Sequence, residues 1–334
     1  MTPSGLPDDP ARELRQLVAA GRFRDALEAR RLSVDAEHPV AEVDLLAATA
    51  ATRLGDLSAG ADMAQSALQQ FQARADADGR MRSFNLLGAI AFDRGQLEEA
   101  ESCFTRALED ARVLDDPRMT ANTSNNLASV AHLRAHDEVA FSMYRAALLA
   151  YQRLGDRRGA AQSCHNLALA FRQQGNWVDA EAAAQHAIRH ATAVGEPGLK
   201  ALVLMGRVEL HLEMGETEFA RRELARAESL AREAGDETSL AEGIRLRALL
   251  SLREGDLDSA MAHALEAREA AAQVGATQLE GESLAAAALA ARRLGKRAEA
   301  GAYRLAALTI FERLGATRLA RELDREFTGQ TESN

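Results

Sequence analysis

Apolar residues recur every three or four positions along most of the chain, as in Leu97, Ala100 and Phe104. This spacing places them on one face of an α-helix. Glycines separate the predicted helices in two columns with a step of 40 residues, each interrupted once, by Ala135 or by Asp115. Glycine readily adopts the left-handed conformation that ends many helices, so each column predicts a helix end. The columns contain Gly55, Gly95, Gly175, Gly215, Gly255 and Gly295, and Gly155, Gly195, Gly235, Gly275 and Gly315.

Alanine follows the same step without exception in a further column. Its members are Ala67, Ala107, Ala147, Ala187, Ala227, Ala267 and Ala307. A small residue at a fixed place in every repeat indicates that neighbouring helices approach closely there. We therefore predict an all-α chain whose repeat is a helix A, a glycine turn, a helix B and a second glycine turn. About eight helical hairpins and a closing helix over 317–327 give seventeen helices in one solenoid domain, 11–327, with disordered tails at 1–10 and 328–334.

The composition agrees with helices and narrows the possible functions. The 334 residues are 47% hydrophobic but only 4% aromatic, and 40 Lys and Arg face 50 Asp and Glu, a net charge of −10. An acidic chain lacks the basic face that bulk attraction to nucleic acid requires. The two cysteines provide no disulfide framework. The first residues do not resemble a signal peptide and no apolar run is long enough to span a bilayer, so we expect a cytoplasmic protein.

No combination of residues predicts catalysis. The sequence has no phosphate-binding glycine loop and no Cys-x-x-Cys motif. His186 and His190 share a helix face at a spacing that can chelate a metal, but no third ligand stands at a suitable offset. A solvated helix face is the favoured interpretation of this pair. We expect no enzyme activity, no cofactor and no metal site.

The repeat resembles the tetratricopeptide repeat (TPR). The resemblance rests on a small residue, glycine, alanine and alanine at the spacing of Gly88, Gly95, Ala100 and Ala107, with Phe104 at the aromatic position of helix B. It covers about residues 11–327 and implies a right-handed superhelical solenoid. The step of 40 exceeds the usual TPR step of about 34. In this the chain resembles kinesin light chains and bacterial regulatory TPR proteins.

The resemblance also implies a concave groove lined by the A helices, with repeat positions two, five, six, nine and twelve to thirteen facing it. Asparagine is a poor helix former, yet it recurs at these positions in adjacent repeats. A carboxamide can bond both the N–H and the C=O of an extended peptide. The predicted peptide-binding residues are Arg82, Asn85, Asn122, Asn125, Asn126, Ser129, Gln162, His165, Asn166, Arg172, Gln173, Glu209, Arg245 and Arg253.

Asn125 and Asn126 precede Leu and Ala, which looks like the Asn-Asn-Leu-Ala segment that lines the cargo-peptide groove of kinesin light chains. Asn126 and Asn166 at position six can equally bond a neighbouring helix and serve packing, and both interpretations stay open. For position five, which is expected to face further outward, ligand binding is favoured.

These expectations point to a scaffold or adaptor that holds a protein segment or extended peptide in the groove, with self-association possible. The alternative is a peptide-responsive bacterial signalling regulator that changes shape on binding. Such a regulator resembles bacterial peptide-pheromone receptors, which carry an N-terminal effector domain before the repeats. Here the repeats begin at about residue 11, which is expected to leave no room for an effector.

Overall fold

A computed structural model describes residues 10–33 and 40–328. These residues form seventeen α-helices and no strand. Sixteen of the helices form eight consecutive pairs and the last follows alone, so the prediction of an all-α array of helical hairpins with a closing helix is confirmed. The helices are α1 Pro10–Ala19, α2 Phe23–Ser33, α3 Ala41–Arg53, α4 Leu57–Ala73, α5 Ala77–Asp93, α6 Leu97–Val113, α7 Pro117–Leu133, α8 Asp137–Leu154, α9 Arg157–Gln173, α10 Trp177–Val194, α11 Pro197–Glu213, α12 Thr217–Ala234, α13 Glu237–Glu254, α14 Leu257–Gln273, α15 Thr277–Arg293, α16 Arg297–Arg313 and α17 Thr317–Thr328.

The chain divides into two compact units, residues 1–123 and 124–334, and the boundary falls inside α7. In unit 1, Leu14 and Val43 belong to one apolar cluster and Leu45 and Phe71 to another. In unit 2, the core continues from hairpin to hairpin. The sequence-based division into a single domain over 11–327 stays a prediction.

The turns between helices follow the predicted register. All members of the two glycine columns have positive φ, and Asp115 and Ala135 adopt the same left-handed conformation with φ of 51° and 62°. At several turns an aspartate then caps the next helix: Asp156 accepts a hydrogen bond from the N–H of Gly159 at 3.0 Å. Such a cap satisfies one of the free amides at a helix start. Helix ends are therefore fixed locally, and this sets the direction of each following helix.

The alanine column lies where the helices touch. Its seven members are buried, with no more than 1% exposed. Gly159 provides a similar close approach, since a Cβ there would lie 2.2 Å from Cε1 of Tyr151. Large aromatic side chains of B helices thus fill space that small residues of A helices leave open. The A helices α9, α11, α13 and α15 contact one another in sequence.

The closing helix α17 packs Leu323, which is 3% exposed, against Phe311 and Leu314. Its end at Thr328 and the start of α1 at Pro10 correct the predicted tails by one residue each, since both residues continue a helix. The remaining tail residues, 1–9 and 329–334, lie outside the described residues. None of the described helices combines the length and apolar character that crossing a bilayer requires.

Candidate functional site

The predicted site residues of unit 1 lie on α5 and on the first part of α7. Arg82 of α5 donates two hydrogen bonds to Glu42 of α3, at 3.1 and 2.9 Å, and its Nε lies 2.9 Å from the carboxylate of Asp78. Burial opposes the ionised form of Glu42, but Arg82 and Arg15 together outweigh it and lower the pKa of Glu42. Arg82 therefore ties two A helices together, while Asn85 and Asn122 are half-buried.

Asn125 occupies the centre of a polar contact between α7 and α9 in unit 2. It is only 7% exposed, and its Oδ1 accepts hydrogen bonds from the hydroxyl of Ser163 at 3.0 Å and from Nδ2 of Asn166 at 3.4 Å. The expectation that position five faces further outward is wrong for Asn125, because the neighbouring A helix covers it. The contact makes Asn125 a packing residue. Asn166 takes part in the same packing contact, although its side chain is only half-buried.

Ser129 is engaged in a second internal contact. Its hydroxyl donates to the backbone oxygen of Asn125 at 3.2 Å and accepts a hydrogen bond from the hydroxyl of Tyr144 on α8 at 3.1 Å. Position nine of this repeat therefore joins helix A to helix B. Asn126 is half-buried on the same helix.

A row of alternating charges runs over α9, α11, α13 and α15. Arg172 lies 2.8 Å from carboxylate oxygens of both Glu209 and Glu213. Arg245, only 6% exposed, lies 2.8 Å from Glu209 and 2.6 Å from Glu242. Arg245 also lies 3.4 Å from Glu282 of α15. Buried charges require such partners, because isolated ions lose their hydration without compensation.

The pKa values of the titratable side chains in and beside this row shift in different directions. Burial opposes the ionised form of Glu209, but Arg172 and Arg245 outweigh it and hold the pKa of Glu209 well below its usual value. Burial raises the pKa of Glu242 despite its contact with Arg245. Burial, aided by Arg172, lowers the pKa of His165 to about 4, so this imidazole is neutral near pH 7.

His165 is held by a close approach between α9 and α11. A Cβ at Gly206 would lie 2.5 Å from Cε1 of the imidazole, so the ring rests on the backbone of α11. Gln162, one turn earlier on α9, is half-buried. Within the part of the chain that the structure describes, the buried atoms Nε of Arg172 and Oε1 of Gln173 have no hydrogen-bond partner.

The structure thus brings most predicted residues of unit 2 onto adjacent A helices. We call this set the polar surface of unit 2; it consists of Gln162, His165, Asn166, Arg172, Gln173, Glu209, Arg245 and Arg253. Arg253 is exposed at the end of α13. Among residues 10–33 and 40–328, no group of three His, Cys, Asp or Glu side chains is arranged to hold a metal ion.

Sequence reasoning missed the part that α17 plays at this surface. Nε of Arg318 donates to the backbone oxygen of His132 at 3.0 Å, and its Nη2 bonds to the carboxylate of Asp137. One turn later, Glu322 is close enough to Arg172 for the two charges to interact. Arg318 and Glu322 share one face of α17, and Leu319 and Leu323 share the face beside it, but the sequence does not show where the polar face packs.

The comparisons with known proteins agree with this architecture. The tetratricopeptide repeat family matches residues 79–148 and 119–193. This part of the chain consists of tetratricopeptide repeats, and the prediction of a TPR protein is confirmed. A comparison with curated protein sequences gives no match.

Solved structures with the same arrangement of helices share little sequence with this chain. A Rap protein in complex with competence and sporulation factor has a TM-score of 0.78 at 13% identity, over 91% of this chain and 85% of the Rap chain. NprR in complex with its cognate peptide NprX has a TM-score of 0.65 at 14% identity, over 96% of this chain and 99% of the NprR chain. Aspartyl phosphate phosphatase F from Bacillus subtilis has a TM-score of 0.54 at 15% identity, over 90% of this chain and 92% of the phosphatase chain. At these identities the likeness concerns the fold.

Proposed function

We propose that this tetratricopeptide-repeat chain is a scaffold or adaptor that holds an extended peptide, or a segment of a partner protein, on the polar surface of unit 2. The observation that supports this most is the row of carboxamide, imidazole and charged side chains on α9, α11 and α13. The other faces of these helices are alanine- and leucine-rich and pack internally.

The chemistry of the surface suits a peptide backbone. Gln162 carries two donors and an acceptor, and Asn166 keeps one donor and its acceptor beside the bond to Asn125; these groups match the C=O and N–H groups of an extended chain. The Rap and NprR structures, both solved with bound ligands, are consistent with such a use of the fold.

A regulator that changes shape on binding is the second candidate. The interaction of Glu322 of α17 with Arg172 of this surface favours it, because an internal helix and a partner cannot occupy the same atoms. The sequence-based expectations of a cytoplasmic location and of no enzyme activity stay predictions.

The proposal is tested by selecting peptides from a random display library on the full chain and measuring their affinity. Changing Gln162 and Asn166 together to Ala removes bonds worth about 0.5–1.5 kcal/mol each, so affinity should fall about tenfold. The control is Gln152→Ala, which changes an exposed glutamine on the B helix α8. Peptides that bind the double variant and the control equally well would place the binding site elsewhere.

The melting temperature of the same variants separates ligand binding from packing. Asn166→Ala removes the bond to Asn125, whereas Gln162→Ala replaces a half-buried amide by a better helix former. A large loss of stability in both variants with unchanged peptide affinity would assign these residues to packing alone.

A further inference from the structure

Arg318 is the most deeply buried charged residue among the described residues of α17, and it makes a polar contact with a distant part of the chain. It is 8% exposed, and its hydrogen-bond partner His132 lies 186 positions earlier in the chain. Its guanidinium bonds to a backbone oxygen near the end of α7 and to the side chain of Asp137, the first residue of α8. The turn between α7 and α8 therefore holds a cation.

This turn is suited to a guanidinium for two reasons. The last carbonyl groups of a helix carry partial negative charge, which favours a cation. The oxygen of His132 accepts the N–H of Ala135 at 3.0 Å and has a second lone pair for Arg318. Asp137 adds a full negative charge, and the fork of arginine can reach both acceptors at once. The imidazole of His132 does not compete, because burial and the neighbouring Arg318 lower its pKa to about 4 and leave it neutral near pH 7.

We infer that the backbone oxygen of His132 and the carboxylate of Asp137 form an arginine-binding subsite beside the polar surface of unit 2. Arg318 fills it within the same chain, and a partner segment that carries an arginine takes the subsite by displacing α17. The inference rests on the proposed function and adds the chemistry of the partner.

The fit of α17 is imperfect one turn after Arg318. Burial raises the pKa of Glu322 to about 7, a net value to which Arg172 and Arg318 contribute by lowering it and the carboxylates of Glu209 and Glu213 by raising it. At neutral pH the carboxyl of Glu322 therefore either loses hydration as an anion or takes up a proton. The bonds of Arg318 stabilise the packing of α17, and the unfavourable surroundings of Glu322 remove part of this stabilisation.

The helix is also short enough to be displaced. It has 12 residues, a length at which an isolated helix is marginal in water, so its structure depends on its packing. Of its apolar residues, Leu323 is buried, whereas Leu319 and Phe327 are only partly covered. A partner with an arginine, and with a neutral residue four positions later, should bind better than α17 does.

A peptide copy of α17 tests the subsite in the full chain. The probe is a fluorescent peptide of residues 316–328 in which Glu322 is replaced by Gln. Its affinity is measured by fluorescence polarisation for the wild type, for Arg318→Ala and for the matched control Arg321→Ala, which changes an exposed arginine on the same helix.

We expect about tenfold tighter binding to Arg318→Ala than to the wild type or to Arg321→Ala, because only the first variant empties the subsite. Adding Asp137→Asn to Arg318→Ala should weaken binding about tenfold again. The peptide whose own Arg318 is replaced by Ala should bind none of the chains. In the wild type, saturating peptide should speed hydrogen exchange of residues 317–328.

Equal affinity for all three chains, or equal binding of the peptide in which Arg318 is replaced by Ala, would overturn the inference. Unchanged exchange of α17 at saturation would do so as well. If Arg318→Ala lowers the melting temperature so far that it cannot be assayed, Arg318→Lys replaces it, since lysine keeps the charge but loses the fork.

The two proposals fail in different ways. A library peptide that depends on Gln162 and Asn166 but leaves α17 protected and ignores Asp137→Asn would overturn the subsite and keep the proposed function. Displacement of α17 by its peptide copy, with no library peptide sensitive to the polar surface, would keep the subsite and remove the proposed function.

Discussion

Removing Arg245 should destabilise unit 2 strongly. Its side chain is buried and contacts Glu209, Glu242 and Glu282 at 2.8, 2.6 and 3.4 Å, so it neutralises carboxylates of three A helices. Removing one partner of a buried ion pair typically costs about 3–5 kcal/mol, because the remaining charge stays buried without compensation. Glu209 keeps its contact with Arg172, so we expect Arg245→Ala to cost about 3 kcal/mol.

The measurement is the free energy of unfolding from urea titrations at pH 8 and pH 5. Without Arg245 the pKa values of the buried carboxyls rise, and protonation at pH 5 relieves their repulsion. The loss should therefore be larger at pH 8 than at pH 5. Arg226→Ala, which removes an exposed arginine 3.9 Å from Glu223, should cost less than about 1 kcal/mol. Equal losses in the two variants, or a loss independent of pH, would refute this account of the charged row.

Two further predictions concern single side chains at the polar surface. The pKa of Glu322 is about 7 in the folded chain and near 4.5 when unfolded, so this carboxyl lowers folded stability as pH rises from 5 to 8. Glu322→Gln should make stability fall less over this range than in the wild type, and thermal melts that remain parallel to the wild type would contradict it. Gly206→Ala should push His165 aside and weaken peptide binding. Gly198→Ala on the same helix should not, because the added Cβ meets its nearest neighbour at 3.5 Å. Equal peptide affinities of the two variants would argue against a role for His165.

The sequence predicts the helices and their ends because both depend on neighbouring residues. A glycine with positive φ, or Asp115 in its place, ends a helix whatever lies further along the chain. The side of a helix that a residue occupies follows from the 40-residue repeat in the same way. These local rules were enough to predict seventeen helices and to bring Arg172, Glu209 and Arg245 to one surface.

The surroundings of single residues could not be predicted by the same rules. Position five was expected to face outward, but the burial of Asn125 depends on how closely Ser163 of the next A helix approaches. The contact between Arg318 and His132 joins residues that no repeat relates to each other. The pattern on α17 showed a polar face, and only the packed structure shows what that face meets.

The bond between α7 and α17 has a consequence for how unit 2 comes apart. In a stack of repeats each hairpin contacts only its neighbours, so hairpins can unfold from an end, one after another. Arg318 links the turn between α7 and α8, where unit 2 begins, to the last helix of the unit. The first and last elements of this row of neighbours are therefore bonded directly to each other. Opening any hairpin between them strains the link, and releasing the link frees an end from which fraying can begin. One arginine thus sets how cooperatively nine helices, α8 to α16, unfold.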